Sequence, residues 1–220
     1  MRHPKLFFRE SLILGLLLTS QSVRFPDSSV EFYGHQFTGE GLKPTAEKVK
    51  AVQECGKQES KEEVRSFLGM VGYLSKFIPE YTSITAPLRE VTHKDIHLKW
   101  GKEQEEAFET LKGSITNSST MAYFRPDLPI IVRTEASYSQ GRSAGLFQET
   151  VNGLQPVHYI SRTLTDTEQR YSQTEKDALA IKWAKHRFSM YLLGAPKFRI
   201  ITSHKQLIPM FSKATSQLPP

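Results

Sequence analysis

Cysteine is almost missing from this chain: Cys55 is the single one in 220 residues. No internal disulfide can form, no cysteine-based zinc site can be built, and nothing supports a disulfide-framed secreted domain. The histidines are scattered and show no HExxH spacing, which argues against a zinc-hydrolase helix. Long apolar runs are missing as well. The clearest, LILGLLL at Leu12–Leu18, would cover only about 10 Å of helix, far short of a ~30 Å hydrocarbon layer, so no membrane span is expected. Basic residues precede it (MRHPKLFFRE) and small polar ones follow (TSQS), the order of a weak signal peptide. The alternative is an unrelated leucine-rich leader on an intracellular chain. Internal repeats and low-complexity tracts are also lacking.

An apolar share of 38% against 24% charged residues fits a globular chain rather than a disordered one. The length holds one large domain or two small ones. Net charge is +6, and it is unevenly placed: residues 151–220 carry ten Lys/Arg against four acids, so the whole surplus lies in the last third. A local basic surplus favours a phosphate-bearing partner over a small neutral substrate. A solvated basic face with no partner is the competing reading.

Along the chain, SVEFYGHQFTGEG (29–41) alternates apolar and polar residues and ends in glycines, a strand-and-turn pattern that predicts a hairpin. KPTAEKVKAVQEC follows, with Thr45 as N-cap. SKEE places Ser60 three residues before Glu63, a capping box, and Val64, Phe67, Leu68, Val71 and Leu74 follow at helical spacing until Pro79. KEQEEAFETLKGSI adds a third amphipathic helix with Phe108, Leu111 and Ile115 on one side. From Met121 the period changes. IIVRTEAS, SAGLFQET and PVHYISRTL read as strands, TDTEQRYSQTEKDALAIKWAKHRFSMYLLG as one long helix closed by Gly194, KFRIITSHK as a fourth strand, and QLIPMF as a short helix. Strands, helix, strand, helix is a mixed α/β order.

YISRTLTDTEQRYSQTEKDALAIKWAKHRFSMYLLG and FRIITSHKQL closely resemble the RNase H domain of gypsy-type LTR-retrotransposon Pol polyproteins. FLGMVGYLSKFIPEYTSITAPL resembles the segment before it, the end of the reverse transcriptase, and SVEFYGHQFTGEGLKPTAEKVKAV resembles the last palm hairpin with its following helix. The resemblance covers about residues 29–218 and implies four regions. Residues 1–28 are a non-homologous leader, 29–55 a palm-end hairpin and helix, 56–120 a helical thumb- or connection-like segment, and 121–220 an RNase H-like domain. The implied fold is α/β (mixed α+β): an RNase H-like mixed sheet with a long helix, cut short at its C-terminus. The family's YxDD polymerase motif occurs nowhere in the chain, so polymerase activity is not expected.

The resemblance also implies a chemistry, hydrolysis of the RNA strand of RNA–DNA hybrids by two divalent ions roughly 4 Å apart. Mg²⁺ (or Mn²⁺) is the implied cofactor, held by hard oxygen ligands. Family motifs put an Asp in TDAS, a Glu in TEK and an Asp in TDHK. Here TEAS carries Glu135, TEKDALAI carries Glu175 as the intact helix carboxylate, and TSHK carries Ser203 at the usual third carboxylate position. Glu135 and Glu175 are therefore the candidate catalytic and metal-binding residues. Glu135 reaches one carbon too far, about 1.5 Å, and misplacement near 1 Å can cost about 10²-fold in rate. Ser203 is uncharged, and a fourth ligand is expected beyond the end of the chain. Arg142 reads as one extra residue near the turn after TEAS, which would shift the hairpin register unless a bulge absorbs it. Arg162, His204 and Lys205 are the candidate nucleic-acid contacts.

The expectation is a reverse-transcriptase/RNase H-like fragment with impaired catalysis and residual binding to an RNA–DNA hybrid or a single strand, and no small-molecule substrate. An active metal-dependent RNase H, a protein-interaction module using exposed apolar surface, and a product with no selected function are the alternatives.

Overall fold

A computed structural model describes residues 29–212, Pro196 excepted. The apolar run at Leu12–Leu18 lies outside the described residues, and no described helix is long and apolar enough to cross a membrane.

The first described elements are three short strands, β1 (Ser29–Phe32), β2 (His35–Thr38) and β3 (Gly41–Pro44), in an antiparallel meander. The expected hairpin thus gains a third strand. Gly41 makes this possible: at φ 147 a Cβ would meet the Met121 carbonyl oxygen at 2.3 Å, while Leu42 and Met121 exchange both backbone hydrogen bonds. Only a glycine lets the two backbones come that close.

Helices follow: α1 (Ala46–Gln53), α2 (Lys61–Tyr73), a 3₁₀ turn at Ser75–Phe77, α3 (Tyr81–Ile84), α4 (Ala86–Glu90) and α5 (Lys102–Thr116). Thr45 caps α1 through its hydroxyl, and Ser60 with Glu63 forms the capping box of α2. Each satisfies amides that a helix start leaves orphaned. The apolar stripes of α1, α2, α4 and α5 meet in one core containing Phe67, Leu74, Phe77, Leu88, Phe108, Leu111 and Ile115.

Strands β4 (Ile130–Ala136), β5 (Gly141–Thr150), β6 (Gly153–Thr163) and β7 (Phe198–Thr202) form a second sheet in the order β6-β5-β4-β7, with β7 parallel to β4. A parallel neighbour requires a crossover, and helices supply it. The expected single helix is broken into α6 (Asp166–Gln169), α7 (Gln173–Arg187) and α8 (Ser189–Leu192). Thr165 and Ser172 each start a helix with a full capping box, so a second N-cap interrupts what the apolar periodicity alone reads as continuous. The short α9 (Leu207–Ser212) follows β7. Ile130, Val132, Ala144 and Leu146 of the sheet pack against Ala184, Phe188 and Leu192 in a second core.

Arg142 does not shift the β4–β5 hairpin. The pairing runs unbroken from Ile130↔Gln148 to Ala136↔Arg142, because the turn absorbs the extra length: Ser137 Oγ accepts from the amides of Gln140 and Gly141. The irregularity in this sheet lies instead between β5 and β6, at Leu146/Phe147.

Candidate functional site

Three elements meet at one corner of the second sheet. The Gln173 side-chain amide, in the first turn of α7, donates to the Ala136 carbonyl at the end of β4 (2.8 Å) and to Asp177 Oδ2 (3.3 Å). His204, just past β7, places Nδ1 3.0 Å from the same Asp177 oxygen. Its Nε2 lies 3.1 Å from Thr174 Oγ1. The Asp177 side chain is 3% exposed and that of His204 26%. Carboxylate, imidazole and hydroxyl thus form one connected polar chain.

Lys176 beside it is also buried. Its ammonium donates to the Tyr138 carbonyl at 2.5 Å and stands 4.6 Å from the Tyr138 ring centroid. A carbonyl and a ring face therefore replace part of its lost hydration.

The expected metal pair is not brought together. Side chains alternate across a strand; Thr134 and Ala136 are buried, and Glu135 between them is exposed. Glu135 lines a cavity of about 290 Å³ with Glu80, Arg133 and Tyr159. Burial, and then the Glu135 charge, raise the Glu80 carboxyl above its usual value. Glu175 lines a different hollow of about 940 Å³, with Leu179, Ile200 and Leu207. It is the capping-box residue of α7: Glu175 Oε2 accepts from the Ser172 hydroxyl and amide, both at 2.8 Å. Those bonds hold its carboxyl below the usual range. On a helix, residues two apart diverge by about 200°, so Glu175 and Asp177 cannot both face the sheet, and the fold buries Asp177.

Helical spacing could have identified it, since Gln173, Asp177, Ala180 and Ala184 recur at intervals of three and four on the buried stripe. Ser203 and Lys205 are exposed beyond β7, and His204 is the one member of TSHK that reaches the corner. Arg162 is committed to Glu168 (2.6 and 2.8 Å), which Arg142 also clamps at 2.6 Å with a side chain only 3% exposed.

Two Mg²⁺ ions need several hard oxygen donors around them. The corner offers one buried carboxylate beside an imidazole, an amide and hydroxyls, and no group of three or more His, Cys, Asp or Glu converges among the described residues. This donor set does not fit a metal pair.

Residues 100–200 match the family model of the RNase H-like domain found in reverse transcriptase. Over 204 residues, 92% of this chain, the sequence is 36% identical to the retrovirus-related Pol polyprotein from transposon 297 of Drosophila melanogaster. These matches make the chain similar to a segment of retrotransposon Pol polyproteins. The Tf2-3 transposon polyprotein of Schizosaccharomyces pombe is 28% identical across 94% of this chain. The chain spans only 19% and 16% of these two relatives. The foamy viral protease–reverse transcriptase solved with double-stranded DNA shares the fold at TM-score 0.65 and 20% identity, covering 88% of this chain and 40% of its own. The same viral protein solved with an RNA/DNA hybrid gives 0.63 and 21%, over 86% of this chain and 26% of its own. The RNase H-like architecture, a mixed sheet backed by α7, is thereby shown.

Proposed function

We propose that this gypsy-type Pol segment binds nucleic acid, an RNA–DNA hybrid or a single strand, without cleaving it. Within this proposal, β1–β3 with α1 serve as the palm end, α2–α5 as the thumb or connection, and the second sheet as the RNase H-like domain. The main support for lost turnover is the division of Glu135 and Glu175 between two cavities. Asp177 is left as the buried carboxylate of the corner, tied to His204. The basic surplus of the last third supports retained binding.

Incubation of the purified protein with an RNA–DNA hybrid in Mg²⁺ or Mn²⁺ is the test. The expected result is an intact RNA strand, with hybrid binding that weakens steeply from low to moderate salt. Cleavage that Asp177→Asn abolishes and Glu175→Gln spares would overturn the loss of turnover and make Asp177 the working ligand. A flat salt response would remove the binding half.

A second reading, an interaction module, draws on the 940 Å³ hollow between α7, β7 and α9, where Ile200 and Ile208 are exposed. A second copy of the chain is its simplest occupant. Sedimentation showing a monomer at all concentrations would dismiss it.

A further inference from the structure

At the far end of α7, about 20 Å along the helix from Thr174, a basic feature appears of which the sequence singled out Arg162 alone. A cavity of about 590 Å³ opens between the 3₁₀ turn, α3, β6 and the last turn of α7. Lys76, Arg162 and Arg187 line it, with the hydroxyls of Ser75 and Ser161 and the half-buried Trp183, and no carboxylate is among its lining residues. Neither Lys76 nor Arg187 has a carboxylate partner within 4 Å among the described residues. Arg162 shares Glu168 with Arg142, so one carboxylate faces two guanidinium groups. The positive field is felt inside. His158 on the cavity wall is held below its usual pKa by burial, then by the Lys76 and Arg187 charges.

Chains of cations without counter-ions are unfavourable unless an anion completes them, because like charges in a partly desolvated hollow repel. Placing two of them, Lys76 and Arg187, beside the Glu168-paired Arg162, two hydroxyls and an indole suits a phosphodiester strand, whose phosphates take the charge while a base rests on the ring. We propose that this cavity is a phosphate-binding site for a nucleic-acid strand, with Lys76 and Arg187 as its principal cations. The inference rests on the nucleic-acid reading above and gives it a location away from the Asp177–His204 corner.

Fluorescence anisotropy with a labelled single strand and a labelled RNA–DNA hybrid tests it. Lys76→Glu/Arg187→Glu is compared with Lys94→Glu/Lys99→Glu, which removes the same charge from exposed positions with no part in the cavity. The expected result is more than about 10-fold weaker binding for the cavity pair, with the salt slope reduced by about two, and a change below about 3-fold for the control pair. Lys76→Gln and Arg187→Gln, each checked by circular dichroism, repeat the comparison should the charge reversal at half-buried Lys76 unfold the protein. Equal weakening by both pairs overturns the site and leaves general nucleic-acid binding standing. Failure of the wild type to bind either oligonucleotide overturns both. Competition by millimolar inorganic phosphate as effective as that by unlabelled strand overturns the strand in favour of a free anion.

Discussion

Single residues decide the electrostatics of the second sheet, and Glu168 is the clearest case. Burial pushes its carboxyl up, but the Thr165 amide, the Arg162 hydrogen bonds and both guanidinium charges outweigh that and lower it from 4.5 to about 2. A carboxylate depressed in the folded state stabilises at pH above its unfolded value and loses that stabilisation as the pH falls towards the folded one. Here the window runs from about 4.5 down to about 2, worth about 3 kcal/mol at 1.36 kcal/mol per unit. Glu168→Gln leaves the Arg142 guanidinium, 3% exposed, without its counter-charge and is expected to cost about 3 kcal/mol at neutral pH. Urea midpoints measured from pH 7 to pH 2 check both statements. The wild type loses stability between pH 4.5 and 2 beyond any loss in the variant, and parallel curves would contradict the assignment.

At the scale of elements, caps set where the crossover helices begin. Ser172 starts α7 by accepting from the Glu175 amide, while Glu175 answers to the Ser172 amide and hydroxyl. Ser172→Ala is expected to destabilise by about 1 kcal/mol and to speed hydrogen exchange at the Glu175 and Lys176 amides, leaving the first turn of α2 unchanged. Exchange rising equally in both helices would mean global loosening rather than a lost cap. The same cap explains why the helix carboxylate most visible in the sequence is not the one in the corner. Glu175 is occupied at the helix start, where its Oε2 takes both Ser172 donors.

At the scale of the whole molecule, two apolar cores among the described residues join at a seam. Thr82 of α3 donates to Ser161 of β6 at 2.9 Å, Arg89 reaches both Thr163 and the Thr82 carbonyl at 2.5 Å, and Tyr159 of β6 packs on the first core. Trp100 reports on the first core and Trp183 on the second. Fluorescence of Trp100→Phe and Trp183→Phe variants is therefore expected to give coincident denaturant midpoints, the mark of one cooperative unit. A Cβ at Gly141 would meet Thr82 Cγ2 at 2.6 Å and the Arg162 carbonyl at 2.9 Å. Gly141→Ala in each background is expected to lower both midpoints and separate them; midpoints that stay together would show that the coupling of the two cores does not depend on the contact at Gly141.

Local chemistry was legible along the chain because it depends on neighbours in sequence: the caps at Thr45 and Ser60, the stripe through Phe67, the strand around Ile131, and the Pol resemblance carried by contiguous motifs. The facing of carboxylates was less so. Glu135 is one residue from Thr134 and Glu175 two from Asp177, and strand pleat and helix turn send those close neighbours in opposing directions. Which of them meets His204 was decided by the parallel docking of β7 beside β4. Likewise, Lys76 and Arg187 are separated by more than a hundred residues, and only the packing of the 3₁₀ turn and α7 around β6 brings their charges to one cavity.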